Sequence, residues 1–264
     1  MTSSPAPHDR TVDPAEVARY RALAEIWWEP EGRLWPLHVL NALRTQYIRD
    51  RLCAALGRDP AQPTPLAGLR VLDTGCGGGL LSEAMARLGA DVLGVDVVAS
   101  NIAVARQHAR DTGLRVHYEL ATAEALAGRG EHFDVVLNME VVEHVADLPG
   151  FLQAVHRMVR PGGHSFVATI NRNPVSYLVA ILGAEYLFRI LPRGTHQWRR
   201  FVTPAEMLAF FARDGLEPMA RIGVKVNPLT RRMWLSRSLS VNYMLMAHKP
   251  ALDVQRASAT RRTG

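Results

Sequence analysis

Between residues 69 and 170, short apolar runs alternate with stretches of helical spacing, and glycine or a small acid marks most switches. LRVLDTG (69–75) is apolar and ends in glycine; a helical stretch over Leu80–Leu88 follows, and Gly89 stops it. DVLGVDV (91–97) is a second run with Asp96 at its end, and ASNIAVARQHARDTG (99–113) has helical spacing and closes on Gly113. LRVHYEL (114–120), HFDVVLNM (132–139) and HSFVATI (164–170) predict strands three to five, with LPGFLQAVHRMVRPGG (148–163) a helix and its breaker before the last. Strands alternating with helices at this spacing predict a mostly parallel sheet covered by helices on both faces.

The flanks differ. Asp13, Pro14 and Glu16 form a helix start, predicting a helix over Ala15–Trp28, and a second begins near Pro36. GRDPAQPTPLAG (57–68) is the clearest boundary in the chain. After strand five, residues 171–202 interrupt the rhythm; Thr203, Pro204 and Glu206 then form a capping box, and EPMARIGVKVN and SVNYMLMAHK predict the last two strands. The expected organisation is a disordered lead (1–12), a helical cap (13–58), an α/β domain (65–250) carrying the insert 171–202, and a disordered basic tail (251–264).

Composition narrows the setting. At 264 residues and 48% hydrophobic, the chain supports one substantial core. No uninterrupted apolar run reaches 18 residues, MTSSPAPHDRT has no apolar signal core, and two cysteines, Cys53 and Cys76, make no disulfide framework. These features predict a cytoplasmic protein. The net charge of +6 admits nucleic acid or an anionic membrane, but there is no zinc finger or RNP-type aromatic strand, so nucleic acid is set aside.

The candidate chemistry starts at LDTGCGGG (72–79). A dinucleotide turn counted from Gly75 needs glycine at 80, where the chain has Leu80, and no Gly-Lys-Ser/Thr follows for a P-loop. The spacing is Asp73-x-Gly75-x-Gly77-x-Gly79, a loop whose backbone can lie against a ligand with no Cβ between. Asp96, at the carboxyl end of strand two, is placed to accept both hydroxyls of a ribose, or else to cap the next helix. With ATAEAL after strand three and MVRPGGHSFVAT leading into strand five, these residues resemble the class I S-adenosylmethionine-dependent methyltransferases, which implies a Rossmann-like fold with a seven-stranded sheet.

A narrower resemblance, to the ubiquinone-biosynthesis O-methyltransferase subfamily, is carried by WWEPEG (27–32), PLHVLNALRTQYI (36–48), MEVVEHV (139–145), GAEYLFRILPRGTH (183–196) and VNYML (241–245). Thr74 stands where that family usually has valine. The resemblance implies cofactor contacts at Arg44, Gly75, Asp96 and Met139, beside Asp73, Gly77 and Gly79 of the loop. It also implies a polyprenylated phenol or catechol as substrate, methylated at a ring hydroxyl of the 2-polyprenyl-6-hydroxyphenol and 3-demethylubiquinol types, and other enzymes of the pathway as partners.

MEVVEHV adds Glu140, Glu143 and His144 at i, i+3 and i+4, one face if the segment is helical. Two carboxylates and an imidazole suit a divalent cation, which the resemblance favours, magnesium by the oxygen-rich ligation or zinc or manganese by the imidazole; His144 alone suits a general base; and a plain helix cap paired with arginine suits neither role. VSYLVAILGAEYLF (175–188), followed by Arg189, Arg193, Arg199 and Arg200, predicts that 174–200 rests on an anionic membrane surface or else packs as a lid, placing the protein peripherally on the inner face of the membrane. Two rival readings are a related methyltransferase with a different acceptor and a non-catalytic membrane-peripheral scaffold of the pathway.

Overall fold

The computed structural model describes residues 26–32, 34–176, 198–227 and 229–251. The expected lead, most of the helix over Ala15–Trp28, the apolar centre of the insert and nearly all of the basic tail lie outside these residues.

Helix α1 (Trp35–Leu56) precedes an alternation of β1 (Arg70–Thr74), α2 (Leu80–Arg87), β2 (Asp91–Asp96), α3 (Ala99–Asp111), β3 (His117–Leu120), α4 (Ala123–Gly128), β4 (Phe133–Met139), α5 (Leu148–Met158) and β5 (Val159–Ile170). After the insert come α6 (Pro204–Arg213), β6 (Glu217–Asn227), β7 (Arg232–Ser236) and β8 (Asn242–His248). The eight strands make one sheet in the order β3-β2-β1-β4-β5-β8-β6-β7. The first five are parallel, and β8, β6 and β7 run antiparallel to their neighbours.

The sheet has eight strands rather than the seven expected. The added strand is β7, where arginines and serines flank Met233, Trp234 and Leu235 and hide the strand signal. The fifth strand also starts earlier than expected, at Val159, because the Pro161-Gly162-Gly163 breaker is absorbed into it.

Side-chain alternation explains the layers. Along β4, Val135, Leu137 and Met139 pack with Ile48 and Leu52 of α1 and Leu81 and Met85 of α2, while Val136 joins Phe151 and Val155 of α5 and Phe211 of α6 on the other face. Both faces of the strand are buried, so its sequence is apolar apart from Asp134 near its start and the buried Asn138. Helix ends are fixed as the sequence indicates: the Thr203 hydroxyl accepts from Glu206 N–H at 3.2 Å while Glu206 accepts from Thr203 N–H at 2.8 Å. This frame leaves the carboxyl ends of β1, β2 and β4 side by side, where open parallel sheets bind ligands.

Candidate active site

A cleft with about 1180 Å³ of empty space, mouth included, opens at that edge. All the residues singled out in the sequence except Gly79 and Glu143 line it: Arg44, Asp73, Gly75, Gly77, Asp96, Met139, Glu140 and His144.

The loop after β1 and the end of β2 are one unit. Asp96 accepts from Gly77 N–H at 2.9 Å and from Val98 N–H at 2.8 Å, and Cys76 N–H donates to the Val95 carbonyl at 2.9 Å. Asp96 is buried, and burial raises its pKa against those two backbone bonds. Asp73 accepts from the Ser82 hydroxyl at 2.6 Å, which ties β1 to the first turn of α2; burial lifts its pKa to about 6. Arg44 comes from α1 and is buried with Nε donating to Asn41 Oδ1 at 3.1 Å. Burial lowers its pKa, and the charges of Glu140 and Asp73 oppose that shift. A guanidinium held there suits a carboxylate ligand.

Not every glycine serves the cleft. Gly77, at φ +55°, leaves room for Trp27, whose ring a Cβ would meet. Gly79 caps α2 at φ +91° and leaves room for the Tyr118 hydroxyl on β3, away from the cleft. The loop is therefore glycine-rich partly because aromatic side chains press on it, Trp27 from the wall of the cleft and Tyr118 from outside it.

Among the lining residues without a role assigned from the sequence are Trp27, Asn101 and Glu124. Trp27 covers the loop and donates its indole N–H to Asn101 Oδ1 at 3.0 Å, while Asn101 donates to Asp96 at 3.4 Å. Trp28 donates to the Gly78 carbonyl at 2.9 Å and stacks on His108 at 3.4 Å. Glu124, at the start of α4, has both carboxylate oxygens buried without a hydrogen-bond partner. The only signal for Glu124 was its place in ATAEAL and for Trp27 its place in WWEPEG; for Asn101 none was available, because its role comes from contact across 74 residues of chain.

The MEVVEHV segment departs from expectation. Residues 140–147 form an irregular turn rather than a helix, and Glu140 takes the left-handed conformation at φ +58°, so the i, i+3, i+4 spacing does not bring three side chains to one face. A non-glycine residue there costs about 1–2 kcal/mol, and such strain concentrates at functional sites. Glu143 is buried and accepts from the Thr169 hydroxyl at 2.7 Å. Burial first, and then Glu143 beside it, raises the Glu140 pKa, with Arg44 opposing. Among the described residues no three His, Cys, Asp or Glu side chains are grouped to hold a metal ion, so Glu140, Glu143 and His144 as placed do not fit the expected ligand set.

The cleft does fit S-adenosylmethionine. It offers a glycine loop with bare backbone, a carboxylate at the end of β2, a buried guanidinium, and the orphaned carboxylate of Glu124.

Residues 72–167 match the methyltransferase domain family. The chain is 52% identical over 244 residues to the ubiquinone biosynthesis O-methyltransferase of Ruegeria pomeroyi, spanning 92% of this chain and 98% of that one. It is 53% identical over 243 residues to the protein of the same name from Chelativorans sp., spanning 92% and 96%. Among solved structures, the magnesium protoporphyrin IX methyltransferase of Synechocystis PCC 6803 with bound SAH has a TM-score of 0.61 at 18% identity, over 89% of this chain and 95% of that one, a likeness of fold. Near end-to-end identity above one half and a cleft built for a sulfonium nucleoside agree, and the chain belongs to the ubiquinone biosynthesis O-methyltransferase family.

Proposed function

We propose that the protein methylates a ring hydroxyl of polyprenylated catechols in ubiquinone biosynthesis, of the 2-polyprenyl-6-hydroxyphenol and 3-demethylubiquinol types, with S-adenosylmethionine as donor. The observation that carries this reading is the cleft itself, which joins the glycine loop, Asp96 and Arg44 to the acid–imidazole segment Glu140–His144. When bound, S-adenosylmethionine supplies a methyl group on a positively charged sulfur.

The chain's part is to hold, to shield and to move one proton. Arg44 takes the carboxylate of the donor and Asp96 its ribose hydroxyls; Met139 packs against the adenosine side. Trp27 and Leu37 keep water from the cleft. A phenol is a poor nucleophile until its proton leaves, and His144, lining the same cleft as Glu140, is the general base that takes it. Glu140 orients the second catechol hydroxyl. Glu143, bound to Thr169 on β5, holds the turn that presents both.

Residues 174–200 are proposed to meet the membrane that carries the prenylated substrate. No helix among the described residues is long and apolar enough to cross a membrane.

A methylation assay on a prenylated catechol tests the reading. Turnover is expected with the unaltered chain and a loss of about 10²–10⁴-fold in His144→Ala, with S-adenosylmethionine binding by calorimetry retained. Absence of turnover on any catechol, with the donor still bound, contradicts the acceptor assignment and leaves the cofactor site standing.

A further inference from the structure

The β6–β7 hairpin combines apolar exposure with charge of a single sign. Leu229 at its turn is 83% exposed, and Val226, Trp234 and Leu235 are exposed beside it. Arg221, Lys225, Arg231, Arg232 and Arg237 are exposed on the same ribbon. From Pro218 to Leu252 the chain contains no Asp or Glu.

Strand pairing shows where the ribbon stands. β6 pairs with β8 only from Glu217 to Ile222; from Gly223 to Asn227 its partner is β7. Asn242, the first residue of β8, lies opposite Ile170 at the carboxyl end of β5. The hairpin therefore runs past the edge of the sheet that carries the cleft. Its turn is held by Asn227, whose side-chain oxygen accepts from the N–H groups of Leu229 at 3.0 Å and Thr230 at 3.2 Å. Arg231 lies over the Trp35 ring at 5.2 Å and ties the ribbon to α1.

Such a ribbon is poorly matched to water. An exposed leucine at the turn and an exposed tryptophan on β7 lose contact energy. Arg221, Lys225, Arg232 and Arg237 have no acid between them on the ribbon to answer them, while Arg231 pairs with Glu31 at 3.4 Å. An anionic bilayer surface meets both conditions: arginine and lysine heads lie among phosphates with their stems buried, tryptophan sits at the interface, and leucine enters the acyl boundary. A second copy of the chain pairing along the open β7 edge would instead set these cations against their own kind. We infer that the β6–β7 hairpin docks the protein on anionic lipid and turns the cleft edge of the sheet toward the bilayer. This surface is separate from 174–200 and holds whichever ring hydroxyl is methylated.

Co-sedimentation of the full chain with phosphatidylcholine vesicles, with and without phosphatidylglycerol, tests the inference. Binding is expected only with the anionic lipid and is expected to weaken with salt. The pair Arg232→Glu, Arg237→Glu and the pair Leu229→Ser, Trp234→Ser are each expected to raise the vesicle Kd at least about tenfold, with thermal midpoint and turnover of a soluble short-chain catechol unchanged. Brominated acyl chains are expected to quench a tryptophan signal that Trp234→Phe removes and Trp198→Phe keeps. Unaltered vesicle binding by both pairs, or quenching carried by Trp198, overturns the inference. So does a loss of dimer by light scattering with vesicle binding intact. Failure to methylate the soluble catechol counts against the acceptor assignment and not against docking.

Discussion

The ring of Trp27 fills the space where a side chain on Gly77 would begin: a Cβ there falls 2.5 Å from Trp27 Cη2. The same indole reaches Asn101, which reaches Asp96, which accepts from Gly77 N–H, so the loop, the end of β2 and the segment before α1 close into one ring of contacts. Gly77→Ala breaks that ring twice, by strain at φ +55° and by collision with the indole. A rise of at least about tenfold in the S-adenosylmethionine Kd is expected by calorimetry, with a changed tryptophan emission. Unchanged affinity would show that Trp27 yields freely and does not shape the loop.

Trp27 itself is buried, so its removal reads as stability. Trp27→Ala is expected to cost about 3 kcal/mol or more in denaturant unfolding, and Trp27→Phe, which keeps most of the ring but not the bond to Asn101, about 1 kcal/mol. Equal costs for the two would mean that the hydrogen bond, not the packing, holds the segment.

Arg44 gives a test that separates charge from packing. Arg44→Ala is expected to weaken S-adenosylmethionine about ten- to a hundredfold, the range for a hydrogen bond to a charged group, while methylthioadenosine, which lacks the carboxylate, binds as before. Parallel losses for both ligands would place Arg44 elsewhere in the cleft's economy of charge, against Glu140 and Asp73.

Acid stability follows from the buried histidines. Burial, followed by the neighbouring charges of His248 and Arg160, holds the His164 pKa at about 4; burial also lowers that of His156, although Asp214 bonded to its Nδ1 at 2.6 Å opposes the shift. A lowered folded pKa means that the unfolded chain takes up the proton first. Stability is whole above the ordinary histidine pKa of about 6.5 and falls as pH drops from there toward 4. The denaturant midpoint is expected to decline across that window, and His164→Asn to flatten the decline. A slope untouched by the substitution would locate the acid sensitivity in other groups.

The sequence by itself determined the alternation of strands and helices, because strands buried on both faces are mostly apolar runs and glycine follows where the chain reverses. Asp96 and the first glycines were legible for the same reason: a ligand site at the end of a parallel strand is a local arrangement of one strand, one turn and one helix. Tertiary structure decided the rest. Gly79 is answered by Tyr118 and Gly77 by Trp27, contacts between residues distant in sequence that no local spacing encodes. β7 was hidden because a ribbon exposed on both faces shows neither an apolar run nor a clean alternation. Glu140 turned out left-handed rather than helical because its backbone N–H is drawn to the Ala168 carbonyl of β5 at 2.9 Å, a bond across the sheet that ends β4 and swings Glu143 toward Thr169. Spacing of three and four residues identifies one face only on a helix, and whether the chain is helical there was settled by the neighbouring strand.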